Sequence, residues 1–109
     1  MTTELPIVCS LSAGDLNHRL AEIAGVGRDG LLEAELAGTD ATLRFADRPG
    51  IRQRLDGIVV AESECCAFLT MGVRAERHAL TLTISAPAGA ELAVQELVDA
   101  FRADASVAR

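Results

Sequence analysis

A chain of 109 residues is expected to form one domain, long enough for one real core. Half of it is apolar but only 3% is aromatic, so the core is built from Ala, Val, Leu and Ile. A net charge of −6 and an isoelectric point near 4.8 argue against a nucleic-acid partner, because phosphate contacts need clustered basic side chains.

The stretch 5–11 is a short apolar run and is expected to form a strand that contains Cys9. Ser12 then offers an N-cap, and Asp15 three residues on resembles a capping box. Leu16, Leu20, Ile23 and Ala24 follow at helical spacing. Gly25, Gly27 and Gly30 are expected to fray or end this helix. Two alternating runs, 32–36 and 41–45, flank Ala37-Gly38-Thr39-Asp40 and read as a hairpin. A rival reading continues the first helix through Leu31 and Ala34, which also fit a 3.6 period.

Asp47 and Pro49 mark the start of a second helix. Ile51, Leu55, Ile58, Val59 and Glu62 lie on one side of it, and it runs to about Cys66. Residues 68–74 and 80–85 form a second hairpin that turns near Glu76 and Arg77. Pro87 opens a third helix with Val94, Leu97, Val98 and Phe101 as its buried stripe, and 104–109 reads as a frayed tail. The order β-α-ββ-α-ββ-α implies an α+β domain spanning 1–109: a largely antiparallel sheet with helices packed on one face. The other face meets solvent or a second subunit, and the high apolar fraction favours a homodimer.

The chain has three cysteines, Cys9, Cys65 and Cys66. Cys65 lies seven residues after Ile58 and three after Glu62, and Cys66 lies seven after Val59. Both therefore sit near the apolar stripe, about 100° apart around the axis. Adjacent cysteines rarely bridge each other, and thiols at a helix C-terminus meet the negative end of the dipole, which disfavours thiolate. A soft metal ion reverses that balance by deprotonating its ligands. Cys9 completes a three-sulfur set if its strand lies under this helix end, and three thiolates suit Hg(II), Cu(I) or As(III) better than a hard cation. The competing reading makes all three small core residues. Glu62 near the stripe is placed to accept a hydrogen bond from a thiol; Glu64, two residues on, points to solvent. His18 and His78 read as surface residues. The run 25–30 imitates a dinucleotide loop but follows a helix rather than a strand.

The segment Glu62-Ser63-Glu64-Cys65-Cys66-Ala67-Phe68-Leu69-Thr70 resembles the Cys-Cys-x-Phe-Leu segment of small uncharacterised bacterial proteins, some of which accompany mercury-resistance genes. Cys9-Ser10-Leu11 and the stretch 81–87 are similar to them as well. Met71 and the glycine-rich stretch after helix one depart from their pattern. The resemblance implies handling of a thiophilic metal through Cys9, Cys65 and Cys66, with Glu62 behind them.

Three functions are therefore weighed. The first is a soft-metal-binding accessory protein that hands its ion to a partner protein. The second is a non-catalytic dimerisation or interaction module whose cysteines pack, and the third is a thiol redox protein. The balance lies against an enzyme. An odd cysteine count suits a reducing compartment, Met1-Thr2-Thr3-Glu4 lacks an export signal's basic region, and no apolar run approaches the roughly 20 residues that span a bilayer. A cytoplasmic protein without membrane contact is the expectation.

Overall fold

Helices and hairpins alternate along the chain in the order α-β-β-α-β-β-α. The computed structural model describes residues 13–65 and 68–107, with side chains for 18–64 and 68–102. The elements are α1 (Ala13–Gly30), β1 (Leu31–Ala37), β2 (Asp40–Ala46), α2 (Ile51–Cys65), β3 (Thr70–Ala75), β4 (Ala79–Ser85) and α3 (Glu91–Val107). The strand expected over 5–11 and the N-cap at Ser12 lie outside the described residues. From α1 onward the expected α+β architecture holds, with the helices packed against one four-stranded antiparallel sheet.

The strand order is β1-β2-β4-β3, so β2 and β4 are central and join the two hairpins. Their register pairs Ala41 with Ile84, Leu43 with Leu82 and Phe45 with Leu80. All six are buried and point at the helices. They meet Ile23 and Val26 of α1, Leu55 and Ile58 of α2, and Val94, Leu97, Val98 and Phe101 of α3 in one apolar cluster. Phe45 and Phe101 pack edge to face, with ring centroids 5.5 Å apart and planes at 66°.

The pairing repeats. Ala34 faces Leu43, and 39 positions later in each strand (34 to 73, 43 to 82) Val73 faces Leu82. The two-residue turns Gly38-Thr39 and Arg77-His78 obey the same offset, and Gly38 supplies the positive φ of 64° that the first turn needs. The helices follow it too. Leu55 and Val94 correspond, as do Leu20, Val59 and Val98. The repeat therefore lies in apolar pattern and register rather than in residue identity.

Two boundaries differ from expectation. The glycines do not end the first helix early; α1 continues to Gly30 and β1 follows at once. Gly27 faces the backbone of Phe101, and a Cβ there would overlap the Phe101 carbonyl oxygen. The close approach of α1 to α3 is what the glycine permits, and burial of that face outweighs its helix-propensity cost of about 1 kcal/mol. The third helix starts at Glu91 rather than at Pro87, because Gly89 at φ 99° and the Ala90 N–H donated to the Pro87 carbonyl close a turn first. It runs on to Val107, past the start of the stretch read as a frayed tail.

Gly27→Ala should lower stability by about 1–3 kcal/mol, since the helix pair must separate. Gly57, in α2 with nothing near its Cβ position, should respond with the opposite sign: Gly57→Ala gains about 0.5–1 kcal/mol. Urea unfolding of the two variants checks both signs in one experiment.

Candidate functional site

Every strongly buried side chain of α2 on the core side is apolar until its last turn, where Glu62 is 5% exposed. Its carboxylate accepts a hydrogen bond from the Arg19 guanidinium of α1, 43 residues away in sequence. The pair is nearly enclosed, at 17% and 6% side-chain exposure. The 39-residue offset shows how unusual these positions are. Arg19 corresponds to Ile58 and Leu97, and Glu62 corresponds to Ile23 and Phe101. All four counterparts are buried core residues. The fold has thus replaced two apolar residues of its stripe with opposite charges that meet each other.

Desolvating two charges costs several kcal/mol each, and the attraction between them recovers this only with good geometry. Such a pair is weak evidence for stability, so the carboxylate calls for another explanation. Its place in the chain supplies one. Cys65, three residues after Glu62, is the last residue of α2. Leu69, 4% exposed, then enters the core just before β3, while Phe68 stays partly exposed. In the chain, Cys65 and Cys66 thus fall between two buried residues, Glu62 and Leu69.

Sequence reasoning placed Glu62 on the core side of α2, as found, but missed Arg19. The signal was present: Arg19 precedes Leu20 and lies one turn before Ile23, in line with the stripe. Cys9 and Cys66 lie outside the described residues, as does the side chain of Cys65, so the three-thiol arrangement falls there too. Among the described residues no three His, Cys, Asp or Glu side chains converge as metal ligands would. His18, Glu64 and His78 are exposed, as expected of surface residues.

A second charged cluster ties α1 to α2 at the other end. Asp29, in the last turn of α1, accepts from Arg54 Nη1 at 2.8 Å and from Arg28 Nε at 3.3 Å. Arg48 Nη1 donates to the Asp29 carbonyl at 3.1 Å. A carboxylate at a helix C-terminus opposes the dipole, and the arginines offset this. The hydrogen bond from Arg54, then that from Arg28, hold the Asp29 carboxyl below its ordinary value of 3.8. A shallow depression of about 450 Å³ lies at the tip of the first hairpin, lined by Glu35, Leu36, Ala37, Asp40 and Thr42. It includes no residue of the α2 end. Among the described residues no helix is long and apolar enough to cross a membrane.

Two outcomes follow from these charges. Arg19→Leu leaves Glu62 buried without its partner and should cost about 3–5 kcal/mol, whereas Arg19→Leu/Glu62→Leu restores the apolar stripe and should match or exceed the native stability. Equilibrium unfolding of both variants decides this. Asp29, with its lowered pKa, stabilises the fold above the unfolded-chain value, and that contribution is lost as pH falls through the folded value. The stability gap between the native chain and Asp29→Asn should therefore be full at pH 7 and close on acidification below 3.8, as read from melts across that range.

No family model, curated protein or solved structure matches this chain.

Proposed function

We propose that this chain is a thiol-based accessory protein that binds a soft metal ion of the Hg(II), Cu(I) or As(III) class. Cys65 and Cys66 are its primary ligands and Cys9 its third. Glu62 stands behind them as a hydrogen-bond acceptor, oriented by Arg19. The protein acts as a binder rather than an enzyme, in the reducing cytoplasm where free thiols persist. It does so as a homodimer that passes the ion to a partner protein.

The observation that carries this reading is the buried Arg19–Glu62 pair, one helical turn before Cys65, at positions where the other helices carry Ile, Leu and Phe. Fixed charges near thiols tune their protonation and orient them toward a metal, which gives a physical reason to keep a charge pair that the fold does not need. The resemblance of the Cys-Cys-x-Phe-Leu segment to proteins that accompany mercury-resistance genes points the same way. A second reading, an interaction module with packing cysteines, draws on Leu32, Val60 and Leu92, each more than half exposed. These apolar side chains come from β1, α2 and α3, so each stands on a different element.

Native mass spectrometry with Hg(II), Cu(I) and Zn(II) separates the two. The wild type should retain one soft ion per chain and show weak Zn(II) binding. Cys65→Ser/Cys66→Ser should lose the soft ion while remaining folded. Equal Hg(II) stoichiometry in wild type and double variant would overturn the metal reading, and the same spectra report the dimer.

A further inference from the structure

Beyond the Ala46–Ala79 pair, the sheet face turned away from the helices is mostly polar. In the row next to that pair, Glu33 of β1, Arg44 of β2, Thr81 of β4 and Arg74 of β3 stand side by side in register. The next two rows carry Glu35, Thr42, Thr83 and Gly72, then Asp40, Ser85 and Thr70. The three β4 hydroxyls fare differently. Ser85 donates to Asp40 at 3.0 Å and Thr83 to the Gly72 carbonyl at 3.5 Å. Thr81 is only 4% exposed, and its Oγ1 has no hydrogen-bond partner. It is the one buried side-chain oxygen or nitrogen among the described residues left in that state. An unsatisfied buried hydroxyl is costly and calls for a reason.

Its neighbours suggest one. Directly opposed residues on adjacent strands have Cβ atoms about 5 Å apart, so an arginine stem rises on each side of the Thr81 hydroxyl. Among the described residues each guanidinium is held at the rim, Arg44 by Glu33 at 3.2 Å and Arg74 by Glu76 at 3.4 Å. All four of these side chains are more than a third exposed, and exposed pairs of this kind contribute about 0–1 kcal/mol. They are easily opened, and each leaves guanidinium donors to spare.

We propose that Arg44, Thr81 and Arg74 form a binding site for a tetrahedral oxyanion, a phosphoryl group being the fitting chemistry. A carboxylate holds its two oxygens in one plane and so meets one guanidinium fork edge to edge, leaving poor directions for a second fork and a hydroxyl at once. A phosphate has enough oxygens to accept from both forks and from the hydroxyl between them. Binding swings the two arginine heads off their rim carboxylates and gives Thr81 Oγ1 the acceptor it lacks. Because the overall charge of −6 opposes an anion, affinity rests on these local donors and falls in the millimolar range for inorganic phosphate. The site shares no residue with the thiol site and does not rest on it.

Inorganic phosphate, titrated into the isotope-labelled native chain at constant ionic strength set with chloride, tests the proposal by amide-resolved NMR. Saturable shifts centred on Arg44, Arg74 and Thr81, competed by sulfate and not produced by acetate, support it. Arg44→Gln/Arg74→Gln should abolish them. Thr81→Val, which removes the orphaned hydroxyl at constant shape, should weaken phosphate about tenfold while melting at or above the native temperature. The site is refuted by an absence of saturable shifts in the native chain, by shifts that survive the double arginine variant, or by acetate acting equally well. Unchanged phosphate affinity in Thr81→Val removes the hydroxyl from the site and with it the argument.

Discussion

The antiparallel pairing of β2 with β4 is the constraint on which this fold depends. It joins two hairpins that are distant in sequence and lines up Ala41, Leu43 and Phe45 against Ile84, Leu82 and Leu80. That row of six buried side chains is the floor of the core. The helices exist where they do because this floor must be covered on one side. An amphipathic stripe of Leu, Val, Ile and Phe is what covers it at lowest cost in polar burial. Since both hairpins share one register, the helices that precede and follow them recur at the same 39-residue spacing, and each presents its stripe at corresponding positions.

Against that regularity the departures become informative. Arg19 and Glu62 occupy stripe positions and satisfy each other, at the end of the helix that delivers Cys65. Gly27 is a departure of another kind: it removes a side chain where α1 meets the Phe101 backbone, and the closeness of α1 to α3 depends on it. The charge cluster on Asp29 does ordinary structural work, holding the far end of α1 to α2. One end of the α1–α2 contact is thus explained by capping, while the other carries an enclosed ion pair that capping does not require.

The two faces of the sheet obey different rules. On the helix side, packing decides every residue. On the other side hydroxyls and charges share the strands, and among the described residues Thr81 is the one whose side-chain oxygen is buried without a partner. A face of this composition is well suited to water or small polar solutes, and the more exposed apolar side chains, Leu32, Val60 and Leu92, are scattered over three elements.

Much of the architecture was legible in the residues alone. Period-2 runs on either side of Gly38-Thr39 and of a turn near Glu76 and Arg77 identify both hairpins, and the 3.6-period stripes of α2 and α3 identify their buried sides, Glu62 included, because these signals are local. What the sequence could not decide was anything that depends on partners far along the chain. The length of α1 turns on Phe101 accepting Gly27 against its backbone, which overrides the local tendency of glycine to end a helix. The partner of Glu62 lies 43 residues away, and charge at a stripe position does not announce what neutralises it. The strand order β1-β2-β4-β3 and the orphaned hydroxyl of Thr81 likewise arise only when β4 is inserted between β2 and β3. Periodicity thus determines the elements and their apolar faces, and tertiary contact alone decides which charges meet, which glycines are needed and which polar groups are left unsatisfied.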